Sequence, residues 1–181
     1  MSPINALDTW LAEEATIFER IKTGAGIGVS RPEQVAGKTG LQLMQAWLSA
    51  EIPAPEIGRT LDFLLVDAGP GRAVFQGTPG KPHLNPMGGI HGGWYATVLD
   101  SALGCAVQTM MPAGRGYTTA ELGVNIVKAI TTKVQRVRAI GTVLHCGRQL
   151  ATAEAKLVGP DGTLYAHATT TCLVFEMTPK K

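Results

Sequence analysis

Within ten positions the chain gathers residues that could act on a carbonyl group: His91, Gly92 and Gly93, then Asp100. The glycines carry no Cβ, so the backbone itself can approach a ligand. They stand where an apolar run begins, and the free N–H groups at a helix start offer a site for negative charge or a polarised carbonyl oxygen. Asp100 lies amid Val98, Leu99, Ala102, Leu103 and Ala106. A carboxylate in such company is costly to bury unless it is partnered or used. A helix start that binds an electrophile, followed by a lone carboxylate, is the layout of an active site.

The spacing says how such a site must be assembled. Gly93 and Asp100 are seven residues apart, close to two turns, and so lie on one helix face. At 1.5 Å per residue the separation along the axis is about 10 Å. Reacting atoms must approach to about 3 Å, so this Asp100 is out of reach of a carbonyl held at its own glycines. An antiparallel copy of the helix from a second subunit would return its Asp100 to the first subunit's Gly92, and a two-fold dimer does this twice. The motif predicts a homodimer.

The elements that must hold these residues can be read from periodicity. An amphipathic helix is expected over residues 8–22, with Asp8 as N-cap and Trp10, Leu11, Ile17, Phe18 and Ile21 at helical spacing. Gly24–Gly28 ends it; this GxGxG follows a helix rather than a strand and is a linker, not a dinucleotide loop. A second helix is expected over 39–50, stopped by Pro53 and Pro55. Strands follow at 61–66 and 72–77 around a turn at Asp67–Gly71, then the helix from Gly92 to about Met110. Four further strands are expected at about 116–128, 134–145, 149–158 and 163–176. In the third of these Ala151, Ala153, Ala155 and Leu157 alternate with Thr152, Glu154 and Lys156, the mark of a half-buried strand. One long apolar helix followed by an antiparallel meander predicts an α+β architecture, a sheet wrapped around the helix.

Composition narrows the classes of partner. At 181 residues the chain suits one domain with a sizeable core. A net charge of +2, without a basic cluster or a stacking array, argues against nucleic acid. No apolar stretch reaches the roughly 20 residues of a spanning helix, so no membrane role is expected. Met1–Asp8 lack the positive start and apolar run of a secretory signal. The odd set Cys105, Cys146 and Cys172 has neither disulfide nor metal spacing, and a cytoplasmic location is expected. His83, His145 and His167 lack spacing for a metal site and are read as surface or strand residues.

The run Asn85–His91-Gly92-Gly93–Asp100, followed by Tyr117-Thr118-Thr119-Ala120-Glu121-Leu122 and Val124-Asn125, resembles the hotdog-fold acyl-CoA thioesterases of the PaaI-like (phenylacetate-pathway) group. The resemblance covers residues 56 to 176. It implies a hotdog domain over 56–181 with residues 1–55 as an N-terminal helical extension, an acyl-CoA substrate, no cofactor, and a homodimer or a dimer of dimers. It further implies that Asp100 attacks the thioester or activates water, that the Gly92 N–H polarises the carbonyl, and that Asn85 orients water or the thioester. By the same resemblance His91, counted with the catalytic residues, shapes the turn and contacts substrate. It likewise implies that Thr119, or less favourably Thr118, lies beside the carboxylate, where its hydroxyl can orient the attacking water, Thr118 being also a candidate for substrate binding. Gly93, Trp94 and Tyr95 are candidates for the substrate pocket. After Asn125 the family often continues with an aromatic residue and an Arg-Pro pair, whereas this chain reads Ile126-Val127-Lys128-Ala129-Ile130. Lys81, Arg115, Lys128, Lys133, Arg136, Arg138 and Arg148 are candidates for CoA phosphates. Two other readings share the motif: a non-catalytic acyl-CoA-binding protein and a hotdog enoyl-CoA hydratase or dehydratase.

Overall fold

The computed structural model describes residues 5–177; Met1–Ile4, half of the segment that argued against a signal sequence, lie outside them, as do residues 178–181. Twelve elements follow one another, and the sequence periodicity anticipates most of them. Helix α1 spans Ala6–Thr23, α2 Pro32–Val35, α3 Gly40–Leu48 and α4 Glu56–Thr60. Strands β1 (Phe63–Gly69) and β2 (Arg72–Gly77) form the first hairpin, a short 3-10 turn covers Lys81–His83, and the long helix α5 runs Gly92–Thr109. Strands β3 (Arg115–Ile126), β4 (Val137–Cys146), β5 (Leu150–Val158) and β6 (Leu164–Glu176) complete the chain. The cap of α1 is Asn5 rather than Asp8: the Asn5 carboxamide oxygen accepts from the N–H groups of Leu7 and Asp8. Asn5 wins because it stands one residue before the first helical position, where a short polar side chain can turn back on the first turn.

All six strands form one antiparallel sheet in the order β1-β2-β4-β5-β6-β3. Only β4, β5 and β6 run as a meander. α5 carries the chain from one end of the sheet to the other, so β3 pairs with β6 (Arg115↔Glu176 to Ile126↔Ala166) and forms an edge. The sheet curls around α5, which touches every strand. Val98, Leu99, Ala102, Leu103, Ala106 and Val107 are fully buried there, against Ala139, Ala151, Ala153 and Leu157. The β5 alternation holds, its alanines inward and Thr152, Glu154 and Lys156 outward. Gly141 of β4 is where the helix comes closest, since a Cβ there would strike the Ala102 carbonyl.

The N-terminal helices use both faces of the sheet. α3 lies beside α5, and its Met44 enters the same core. α1 crosses the convex face, opposite α5, and a polar network holds it. Gln76, wholly buried on β2, donates from Nε2 to Glu14 at 2.8 Å and accepts from Arg138 Nε at 2.9 Å. Glu14, with 6% of its side chain exposed, also pairs with Arg136 at 2.5 Å. Arg138 pairs with Glu13 and stacks over Trp10 at 4.4 Å. Arg136 and Arg138, two of the candidates for CoA phosphates, are thus engaged in fastening α1. Among the described residues no helix is long and apolar enough to cross a membrane.

Candidate active site

The start of α5 is built by His91. It is the N-cap, and its Nδ1 accepts the Gly93 N–H at 2.9 Å while its carbonyl accepts the Trp94 N–H at 2.9 Å. The Gly92 N–H is left without a partner among the described residues, in an exposed turn. With Gly93 and Trp94 engaged, Gly92 is the donor the helix start presents to a ligand, and the helix dipole strengthens it. The turn is anchored from behind, because the His91 N–H donates to the His83 carbonyl at 2.8 Å.

His83 departs from the expectation of a surface residue. It is 5% exposed. Its ring stacks on Trp94 with centroids 5.6 Å apart, its Nδ1 accepts from the Gly80 N–H at 3.1 Å, and its Nε2 faces the Asp62 carboxylate at 3.7 Å. Trp94 itself is 3% exposed and donates its indole N–H to the Leu61 carbonyl at 2.8 Å. Trp94 therefore packs inside the fold. Tyr95, also buried, accepts the Ile130 N–H at 2.6 Å and borders a cavity of about 260 Å³ lined by Asn85, Ile90 and residues 126–130. This cavity adjoins the glycine turn: a Cβ on Gly92 would meet Ile126 Cδ1 at 3.5 Å. Its far wall is the stretch in which the sequence leaves the family pattern.

Asn85 both closes a turn and faces this cavity. Its Oδ1 accepts from the N–H groups of Met87 (2.9 Å) and Gly89 (3.1 Å). With the oxygen held by the loop, the Nδ2 hydrogens remain to donate toward the cavity.

Two turns along α5, Asp100 is half-buried and its Oδ1 accepts from Thr119 Oγ1 at 3.1 Å. The strand geometry selects Thr119 over Thr118, which points to solvent. A bulge at Ala120 shifts the register, pairing Thr119 with Cys172 but Glu121 with Thr171. Tyr117 and Thr119 therefore face α5 before it, Leu122 and Val124 after it. Three further groups near Asp100 are neutral. Burial pushes the Cys105 thiol up to about 12, with the Asp100 charge adding to the shift. Burial likewise holds Tyr117 well above its ordinary value and raises Cys172, both again helped by Asp100. Tyr117 fits beside the helix because Gly104 has no side chain. Asp100 is thus the only carboxylate among a phenol, two thiols and a hydroxyl, a group able to take a proton or attack an electrophile. Sequence reading set Cys105 aside as core and missed Tyr117; the small Gly104 facing an aromatic strand residue was the available sign.

No cluster of His, Cys, Asp or Glu suited to a metal occurs among the described residues. Within one protomer the Gly92 donor and the Asp100 carboxylate stay two turns apart, as the spacing required.

The family model of the thioesterase superfamily matches residues 87–166, the stretch that holds the glycine turn, Asp100 and Thr119. No curated protein matches the chain in sequence. Among solved structures, a thioesterase family protein of Silicibacter pomeroyi is 27% identical, with a TM-score of 0.61 over 67% of this chain and 90% of that one. A phenylacetic acid degradation-related protein of Ralstonia eutropha superposes with a TM-score of 0.65 at 23% identity, over 72% of this chain and 98% of that one. A variant of the phenylacetic acid degradation protein PaaI of Thermus thermophilus gives 0.58 at 25% identity, over 65% and 96%. The fold is the hotdog fold, and the resemblance to PaaI-like thioesterases read from Asn85–Asn125 stands.

Proposed function

We infer that this hotdog-fold chain of thioesterase-superfamily likeness hydrolyses an acyl-CoA, acyl or aryl-acyl, to the free acid and CoA. The observation that carries the reading is the division of labour along α5. His91 leaves the Gly92 N–H as a free donor, and two turns on Thr119 holds Asp100 among neutral groups. The Gly92 N–H binds the thioester oxygen as negative charge develops there, a contribution of about 3–4 kcal/mol for one well-aimed donor. Asp100 then either takes a proton from water or attacks the carbonyl carbon itself. The C–S bond breaks and CoA leaves as the thiol, its proton drawn from the water consumed. Asn85 donates through Nδ2 to the thioester or to that water, and the cavity beside Tyr95 receives part of the substrate.

The carboxylate comes from a second subunit. Among the described residues β3 pairs on one side only, with β6, which leaves its other edge for a second copy. Antiparallel pairing there would lay two α5 helices side by side and bring each Asp100 to the other's Gly92. A homodimer is the working unit, with a dimer of dimers above it, a cytoplasmic setting and no cofactor. Residues 1–55 form an extension on a hotdog domain of residues 56–181.

The test is thiol release from short, medium, long and phenylacetyl-type CoA esters, the last chosen because two structural neighbours carry the phenylacetic acid degradation name. Asp100→Asn should abolish turnover and retain ligand affinity. Turnover undiminished in that variant removes Asp100 from the mechanism. No turnover with any ester, with binding retained, makes the chain an acyl-CoA-binding protein.

A further inference from the structure

The geometry points to a second ligand site, roofed by the N-terminal helices, for an uncharged aryl or short alkyl group. A cavity of about 320 Å³ lies where α1, the loop after it and α3 meet the β1–β2 edge of the sheet. Its walls are Phe18, Ile21 and Ile27 from above, Trp47 from α3, and Phe63 and Phe75 from the sheet. It shares no lining residue with the cavity of Asn85 and Tyr95.

Interiors are packed to crystal-like density, and an apolar void forfeits the contacts its walls could make. A void of this size falls within the about 300–1,000 Å³ of small-molecule pockets. A dry apolar cavity of about 150 Å³ takes benzene, so this one has room for a bicyclic ring or an alkylbenzene. The walls favour an aromatic guest. Phe75 is already met edge-on by Trp47 at 5.8 Å and by Phe63 at 5.9 Å, rings held in the arrangement that a further ring extends.

The charges at the cavity set the guest's charge. Glu14 is taken by Arg136 and Gln76, and Arg59 is paired with Glu56 at 2.5 Å. Asp62, with 55% of its side chain exposed, has no Lys or Arg partner among the described residues. An anionic ligand would find no free cation and would face the Asp62 carboxylate. A neutral one meets walls that are mostly apolar. The roof of the site, Phe18, Ile21, Ile27 and Trp47, comes from residues 1–55 of the chain, whereas its floor is the β1–β2 hairpin.

The test uses the full chain with 13C-labelled isoleucine methyls, titrated with indole, propylbenzene and 3-phenylpropionate. The expected result is saturable shifts of Ile21 and Ile27 with the first two ligands, unmoved Ile126 and Ile130, and at least tenfold weaker binding of the carboxylate. Ile27→Trp fills the cavity from an exposed position and, with its own methyl signal gone, should abolish the shift of Ile21 while the rest of the spectrum persists. No saturable shift at Ile21 and Ile27 overturns the site. So does binding undiminished in Ile27→Trp, and phenylpropionate binding as tightly as propylbenzene overturns its selectivity.

Discussion

Thr119→Val tests the site at the point where strand and helix meet. Valine keeps the shape and strand preference of threonine and deletes only the hydroxyl that donates to Asp100. Hydrogen bonds to charged groups contribute about 1.5–3 kcal/mol. At 3.1 Å this one lies at the long end for an O–H donor, which places it near the bottom of that range. About 1.5–2 kcal/mol in the barrier is a fall of roughly 10- to 30-fold in kcat. KM should barely move, since Thr119 orients the carboxylate rather than touching the acyl group. Continuous thiol release supplies both constants. Thr119→Ser should restore most of the loss, because it returns the hydroxyl that donates to Asp100. A Thr119→Val enzyme within twofold of the wild type in kcat would show that Asp100 is positioned by something else.

Other consequences are open to measurement. His91→Ala removes the N-cap of α5 and should cost about 1 kcal/mol in urea unfolding, with His91→Asn recovering most of it. Glu14→Ala leaves Arg136 without its carboxylate under α1, and the unfolding midpoint should fall by an amount equivalent to about 3 kcal/mol. An unchanged midpoint would mean that the apolar contacts of α1 suffice. Cys105 is raised by burial from 9.0 to about 12, so the folded state holds its proton more tightly than the unfolded chain. Its contribution to stability is complete below pH 9 and is lost as pH climbs toward 12. Thermal melts of Cys105→Ala beside wild type should therefore converge above pH 9, and a pH-independent difference would contradict the assignment.

Much of the site was legible in the sequence because its signals are local. The glycine turn, the apolar helix and the two-turn spacing to Asp100 need no tertiary information, and the β5 alternation is a two-residue period. Features that arise between distant segments left no such trace. Arg136 and Arg138 look like solvated charges until α1 is seen to bring Glu13 and Glu14 to them. The burial of His83 depends on a tryptophan eleven positions away that only folding brings over its ring. A meander was the simplest order for four successive strands, and nothing in β3 itself announces that it pairs with the last strand. The bulge is equally silent: Thr118-Thr119-Ala120-Glu121 has no alternation from which its extra residue could be read.

The position of β3 also dictates when the molecule can be completed on the ribosome. β3 emerges first after the helix, yet its partner β6 is the last of the described strands to be made, and Arg115 must wait for Glu176. Arg136 closes on Glu14 across 122 residues of chain. Until then α1 and the strand beside Asp100 stay unsheltered, and such distant pairings slow folding. A nascent chain stalled before Leu164 would hold α5 against a sheet without its last strand, with β3 unpaired along its length. The exposure of β3 in that intermediate lasts until β6 has been made.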